Sequence, residues 1–217
     1  MRQLILDLLP ESPPSLDNFV PGGNAETLTM LTGWLAGEPA DTAFCLHGEA
    51  GCGKSHLLLA SRFRYVDAAH NPALAGVAGD ETLAVDNVDQ LDANGQVALF
   101  ALFNQIKASG GRLLTAAPQP PAHLALREDL RTRLGSGLIY RLLPLTDAEK
   151  AAAIACQARE RALKLTPEIV NYLLRHASRD MRTLSMLIVA LDQYTLEQKR
   201  PVTLPLLREL LSQEHAE

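Results

Sequence analysis

The sequence is poor in cysteine and in long apolar runs, and each scarcity excludes a class of protein. Its 217 residues include 3 cysteines, which are too few and too scattered for a disulfide framework or a zinc site. No apolar run approaches the ~20 residues that span a membrane, and the apolar N-terminus is too short and too acidic for a signal peptide. We therefore expect a cytoplasmic protein with no membrane association.

Positive charge is also scarce. The chain carries 20 Lys and Arg residues against 25 Asp and Glu residues, a formal net charge of −5. Because binding to a phosphate backbone needs a basic surface, this balance excludes a non-specific nucleic-acid binder. Hydrophobic residues make up 47% of the chain, which is typical of globular domains that build their own core.

Short apolar runs alternate with helical patterns between residues 19 and 143. We predict strands over residues 42–47, 62–68, 82–86, 112–116 and 138–142, and helices over 24–37, 55–61 and 94–109. Val97, Phe100, Phe103 and Ile106 recur at three-residue steps and predict the last of these helices. The alternation predicts an α/β domain, with a parallel sheet covered by helices, over residues 19–143.

The pattern changes after Pro144. Thr146 and Glu149 have the spacing of a capping box, and three further helices are expected to begin near Pro167, Asp180 and Thr203. Four helices without a strand predict a small all-α lid domain over residues 144–217. At the other end, residues 1–9 form an apolar tail, and residues 10–18 form a proline-rich linker whose prolines favour extended backbone.

A phosphate-binding loop follows the first predicted strand. Gly48, Gly53, Lys54 and Ser55 fit the pattern G-x-x-x-x-G-K-[ST], between a predicted strand and a predicted helix. The glycines allow backbone N–H groups to turn toward a phosphate, the lysine reaches the β- and γ-phosphates, and the serine hydroxyl ligates Mg²⁺. The motif predicts a nucleotide site that uses ADP or ATP with Mg²⁺.

Asp86 and Asn87 end the apolar run over residues 82–86, as in a Walker B strand. Asp86 is the second candidate Mg²⁺ ligand beside Ser55. Hydrolytic members of this class carry an acid at the next position, whereas an amide such as Asn87 holds water without accepting a proton. We therefore expect weak or no intrinsic ATP hydrolysis.

These motifs resemble the AAA+ ATPases of the DnaA branch, and more narrowly the DnaA-related regulators that inactivate the initiator. The resemblance covers almost the whole chain. It is carried by the phosphate loop with its following His56, by the Asp86–Asn87 pair, by the stretch that ends in Arg133 and Leu134, and by the apolar N-terminal tail. It implies a P-loop AAA+ domain followed by a helical lid.

The resemblance also implies residue roles. Phe19 and Val20 would pack against adenine, Thr115 would act as sensor 1 and Arg182 as sensor 2, and Arg133 would be an arginine finger acting in trans. The implied nucleotide contacts are Gly48, Gly51, Cys52, Gly53, Lys54, Ser55, His56, Phe19, Val20, Asp86, Asn87, Thr115 and Arg182. The tail residues Gln3, Leu4, Ile5, Leu6 and Leu8 would bind the sliding clamp, the β subunit of DNA polymerase III.

Plainer alternatives stay open for several of these residues. Phe19 also fits a hydrophobic staple for the first helix, Thr115 an ordinary strand residue, Arg133 and Arg182 surface charges, and the tail a segment that docks on its own domain.

The implied function is negative regulation of replication initiation. A nucleotide-bound form, tethered to the DNA-loaded clamp, would dock on DnaA and stimulate hydrolysis of its ATP to give inactive ADP–DnaA. DNA would be reached only through the clamp, because no DNA-reading module is expected after the lid. Homodimers and higher self-association stay open. Two alternatives are a non-catalytic clamp-tethered adaptor for another initiator-family protein and a P-loop small-molecule kinase.

Overall fold

The computed structural model describes residues 13–38, 40–78, 82–176, 181–198, 201–205 and 207. These residues fall into two compact units, one that ends at Pro144 and one that begins at Leu145. Within the described part of the chain, no helix is long and apolar enough to cross a membrane. The predicted α/β class is confirmed by the first unit.

The first unit is built on a five-stranded parallel sheet. Its strands are β1 (Ala43–His47), β2 (Arg64–Asp67), β3 (Thr82–Asp86), β4 (Arg112–Ala117) and β5 (Leu138–Arg141). Their spatial order is β2-β3-β4-β1-β5, and every neighbouring pair is parallel. The central position of β1 places the segment that follows it in the middle of one sheet edge.

Helices cover both faces of this sheet. They are α1 (Ala25–Ala36), α2 (Lys54–Ala60), α3 (Ala93–Ser109) and α4 (Glu128–Gly135). Alternate strand residues enter different cores: Leu83 and Leu113 join the core beneath α3 and α4, whereas Ala84 and Leu114 join the core beneath α1 and α2. This alternation explains why the three inner strands β1, β3 and β4 are mostly apolar, as expected for a sheet buried on both faces.

The predicted helix over 94–109 is confirmed as α3, but the apolar residues that predicted it do not all lie on its buried face. Phe103 and Ile106 are buried, but Val97 is 49% exposed and Phe100 is half-buried. The buried face instead consists of Gly95, Leu99, Leu102, Phe103 and Ile106. The physical reason is that steps of three residues drift around a helix of 3.6 residues per turn, so alternating steps of three and four describe the buried face better.

Helix α4 has no counterpart among the predicted elements. It has eight residues, and its buried residues are Leu130 and Leu134. Two apolar residues one turn apart are too weak a periodic signal to predict a helix.

Residues 15–18 form a turn where extended backbone was expected. The Ser15 N–H donates to Asn18 Oδ1 at 2.9 Å, and the Asn18 N–H donates to Ser15 Oγ at 3.2 Å. Short polar side chains that bond to nearby backbone stabilise turns of this kind, and here they outweigh the preference of the preceding prolines.

The second unit is helical where it is described. It contains α5 (Asp147–Glu160), α6 (Pro167–His176) and α7 (Met181–Gln198), and its core is formed by residues such as Ile154, Leu173, Leu184 and Ile188. The predicted capping box is confirmed: the Glu149 N–H donates to Thr146 Oγ1, and the Thr146 N–H donates to Glu149 Oε2. Asp180 and most of the predicted fourth helix lie outside the described residues.

Candidate nucleotide-binding site

The candidate site lies where β1, β3 and β4 end. Parallel strands bring their carboxyl ends to one edge of the sheet, which is where ligands bind in open α/β folds. His47 is paired with Ala117, and Val85 with Thr115, in the strand register. The loop after β1 and Asp86 at the end of β3 therefore share this edge, with the end of β4 between them.

The loop after β1 depends on its glycines. Gly48, Gly51 and Gly53 all have positive φ angles, of 156°, 76° and 101°. A Cβ atom at Gly48 would lie 2.3 Å from the Leu142 carbonyl oxygen, and one at Gly53 would lie 2.7 Å from a ring carbon of Phe19. The backbone conformation thus favours glycine at all three positions, and at Gly48 the neighbouring backbone excludes a Cβ as well. These conformations turn the loop in the way that a phosphate-binding loop requires.

Lys54 and Ser55 begin α2 directly after the loop. The Lys54 ammonium donates to the carbonyl oxygens of Gly48 at 2.7 Å and Glu49 at 2.9 Å, so it lies across the loop. Ser55 is exposed, whereas Cys52 is buried inside the loop. The nucleotide contact of Cys52 stays a prediction.

Asp86 is fully buried at the end of β3. Its Oδ2 accepts a hydrogen bond from the Tyr65 hydroxyl at 3.0 Å, and its Oδ1 accepts one from the Asn87 N–H at 2.9 Å. Burial, and next the charge of Asp86, raise the pKa of Tyr65. The tyrosine therefore stays protonated as a donor that orients the carboxylate.

Asn87 is turned toward β2. Its backbone is left-handed with φ 53°, and its side-chain amide donates to Asp67 Oδ1 at 2.8 Å. Asp67 also accepts from the Ala69 N–H at 2.9 Å and lies 2.8 Å from His70 Nδ1. Burial by itself raises the pKa of Asp67, but the hydrogen bonds from Asn87, Ala69 and His70 outweigh it and lower the pKa overall.

Phe19 and His56 pack together beside the phosphate loop. Their ring centroids are 5.5 Å apart, and His56 Nε2 is 3.0 Å from the Ser15 carbonyl oxygen. Val20 is half-buried. The structure thus brings the segment around Phe19 to the start of α2, and the adenine contact of Phe19 and Val20 stays a prediction.

Thr115 lies inside β4, two residues before its end at Ala117, and is fully buried. Its hydroxyl is 3.5 Å from the Phe44 carbonyl oxygen on the neighbouring strand. Cys45, its register partner, has a pKa raised to about 11 by burial, which the hydrogen bond with Thr115 partly offsets. The sensor 1 role stays a prediction, and this geometry equally fits an ordinary strand residue.

Arg133 lines an open groove between α3 and α4. The groove has a volume of about 810 Å³ and is lined by Phe100, Arg127, Glu128, Asp129, Thr132 and Arg133. The guanidinium carbon of Arg133 lies 5.8 Å from the Phe100 ring centroid, a cation–π contact. Arg127 is ion-paired with Asp129 at 2.8 Å, whereas Arg133 makes no ion pair among the described residues.

The remaining predicted site residues belong to the second unit or lie outside the described residues. Arg182 is exposed near the start of α7, in the second unit. Gln3, Leu4, Ile5, Leu6 and Leu8 lie outside the described residues. Their roles stay predictions.

The local charge suits an anion. The pKa of His47 is lowered by burial first, and then by the positive charges of Arg141, Lys54 and His123. Cations gathered beside a glycine loop, with a buried carboxylate at the end of the adjacent β3, fit a nucleotide phosphate and its Mg²⁺. Lys54 would hold the phosphate, and Ser55 and Asp86 would hold the ion.

Comparisons with known proteins agree with this geometry. Residues 147–211 match the family model for the lid domain of Hda. Domain III of the Thermotoga maritima initiation protein DnaA has a TM-score of 0.72 at 21% identity, over 92% of this chain and 96% of that one. AMPPCP-bound DnaA from Aquifex aeolicus has a TM-score of 0.66 at 22% identity, over 85% of this chain and 66% of that one.

The T. maritima branch-migration motor RuvB is more distant, with a TM-score of 0.58 at 19% identity over 86% of this chain and 67% of that one. Sheet order, phosphate loop and structural neighbours together define an α/β protein with the AAA+ fold of the DnaA type. Within that fold, residues 147–211 of this chain resemble the lid domain of Hda.

Sequence reasoning missed the partners of the predicted site residues. Tyr65 and Asp67 on β2 bond to Asp86 and Asn87, and Phe100 on α3 contacts Arg133. A signal existed for Asp67, because a polar residue that ends a strand of a parallel sheet lies at the same edge as the ligand site. The contact of Phe100 depends on the rotation of α3, which the sequence pattern does not determine.

Proposed function

We propose that this chain binds an adenine nucleotide and, while held on the sliding clamp by residues 3–8, stimulates hydrolysis of ATP bound to DnaA. The lid match and the DnaA-type fold support the view that this chain is a DnaA-related replication regulator. AAA+ folds act on neighbouring copies of the same fold, which makes DnaA itself the natural partner.

The observation that carries this proposal is the position of Arg133. It lies on the exposed side of α4, at an open groove, and within the described residues no carboxylate pairs with it. A guanidinium without a fixed counter-charge is available to a phosphate of the docked partner. Charge that develops on the transferred phosphoryl group would be stabilised there, and arginine fingers contribute roughly 10³–10⁵ in rate.

The nucleotide of this chain has a separate role. Bound Mg²⁺ would neutralise phosphate charge, while the phosphate loop and the segment around Phe19 hold the ligand. Asn87 supplies no proton acceptor, so we expect this chain to keep its nucleotide as ADP or ATP. The bound nucleotide then serves as a structural switch for docking.

The decisive test is a DnaA ATP-hydrolysis assay with clamp loaded on DNA. The parent chain should accelerate hydrolysis, and Arg133→Ala should lose most of this stimulation, roughly 10³-fold if the finger is complete. Arg131→Ala, on the same helix and outside the groove, is the matched control and should keep it. Full stimulation by Arg133→Ala would refute the finger and favour the adaptor, whereas phosphorylated small molecules formed from ATP would favour a kinase.

A further inference from the structure

The Walker B strand of this chain is joined to β2 by a carboxylate–amide pair. Asp67 ends β2, Asp86 ends β3, and the two residues are register partners in the parallel ladder. Asn87 follows Asp86, and its amide donates to Asp67 Oδ1 at 2.8 Å. The acid of this pair therefore lies on β2, and the amide lies on the residue after Asp86.

The sheet order shows toward which strand the Asn87 amide points. β2 is an edge strand, and β4 separates β3 from β1, which carries the phosphate loop. An Asn87 amide that bonds to Asp67 points toward β2 and away from β1. Its N–H₂ group is thus turned away from the side on which a γ-phosphate would lie.

Asp67 is itself firmly fixed. Besides the Asn87 amide, its Oδ1 accepts the Ala69 N–H at 2.9 Å, and its Oδ2 lies 2.8 Å from His70 Nδ1. The left-handed backbone of Asn87, φ 53°, directs the Asn87 N–H onto Asp86 Oδ1 at 2.9 Å. Both partners of the pair are therefore held by bonds besides the one between them.

We propose that Asp67 is a positioning residue that holds the Asn87 amide on the β2 side of the Walker B strand, so that the site lacks a group that orients water for hydrolysis. The inference rests on the nucleotide binding proposed above and extends it, because a site of this kind retains ATP instead of turning it over.

The pair also predicts how hydrolysis is restored. In Asn87→Asp alone, the new carboxylate faces Asp67 at hydrogen-bond distance, so the two acids repel each other and the fold is weakened. The repelled carboxylate would leave the β2 side and accept the proton of a water whose oxygen bonds to the γ-phosphorus as the bond to the bridging oxygen of ADP breaks. Exchanging the two residues, in D67N/N87D, restores one acid and one amide, so the amide at position 67 would again hold the side chain at position 87 on the β2 side.

The test compares the full chain, as parent, with four variants. These are Asn87→Asp, Asp67→Asn, the exchange D67N/N87D, and Asp92→Asn as a charge control. Asp92 is an exposed residue that caps α3, and asparagine caps a helix equally well. Three quantities are measured for each: the urea midpoint of unfolding, the affinity for a fluorescent ADP analogue, and the ATP turnover rate.

We expect each single substitution at positions 67 and 87 to lower the urea midpoint and the exchange to recover most of the loss. Turnover should rise at least about tenfold in Asn87→Asp, as a proton acceptor released toward the nucleotide provides, and should rise much less in the exchange. Equal turnover in Asn87→Asp and the exchange, or strictly additive effects on the midpoint, would overturn the inference. If the parent bound no ADP analogue, the proposed function would fail, and the midpoints would still decide whether Asp67 positions Asn87.

Discussion

Single atoms decide the shape of the phosphate loop. Gly48 leaves no room for a Cβ, because the Leu142 carbonyl oxygen would be 2.3 Å away. Gly51 has a positive φ of 76°, but a Cβ there would meet nothing within 4 Å. The two glycines therefore separate two costs that usually occur together, backbone strain and steric overlap.

We expect Gly48→Ala to destabilise the first unit more than Gly51→Ala does. The second substitution costs about 1–2 kcal/mol, the strain of a left-handed residue with a Cβ. The first adds an overlap with backbone that no side-chain rotation relieves, for a total of about 3 kcal/mol. Urea unfolding followed by tryptophan fluorescence measures this difference, because Trp34 is the single tryptophan and is buried in this unit. Equal losses would show that the Leu142 backbone moves aside.

Helix starts and helix faces differ in how far local sequence determines them. The start of α5 is set by four adjacent residues, since Thr146 and Glu149 satisfy each other's backbone N–H groups. The face of α3 is set by the sheet and by the loop after β2, against which it packs. Gly95 lies so close to the Pro72 carbonyl oxygen that a Cβ would be 1.9 Å from it, a contact between residues far apart in sequence.

Thr146→Ala should cost the helical unit about 1 kcal/mol, the usual value of a lost N-cap. Thr146→Ser keeps the oxygen that accepts the Glu149 N–H and should cost a small fraction of that. Hydrogen exchange at the Glu149 and Lys150 amides gives a local measurement, and faster exchange in the alanine variant only is expected. Identical exchange in both variants would mean that packing, and not the cap, fixes this helix end.

The same distinction explains what the sequence predicts about the site. The phosphate loop and Asp86 are recognisable because each belongs to a short segment with its own pattern. Tyr65, Asp67 and Phe100 are contacts between elements, and they depend on strand order and on helix rotation. A sequence pattern predicts that β2 and β3 exist, but not that β2 is the neighbour of β3 at the edge, and so it leaves the partner of Asn87 undetermined.

At the scale of the whole molecule, clamp binding is assigned to a tail outside the described residues. Removing residues 1–9 should abolish binding to the clamp and leave the urea midpoint of the first unit unchanged. Gln3→Ala should weaken binding, because an extended peptide is held by hydrogen bonds as well as by apolar pockets. Surface plasmon resonance on immobilised clamp measures both. Undiminished binding by the shortened chain would refute the tether.

The order of the strands also governs when the phosphate loop can form. Ala43 of β1 pairs with Leu113 of β4, and Phe44 pairs with Leu138 of β5, so both neighbours of β1 come late in the chain. Contacts between residues so far apart in sequence form slowly. On the ribosome, β1 emerges long before either neighbour exists, and its apolar residues stay without a sheet while about seventy further residues are made. The nucleotide site of this protein is therefore assembled only near the end of synthesis of its first unit.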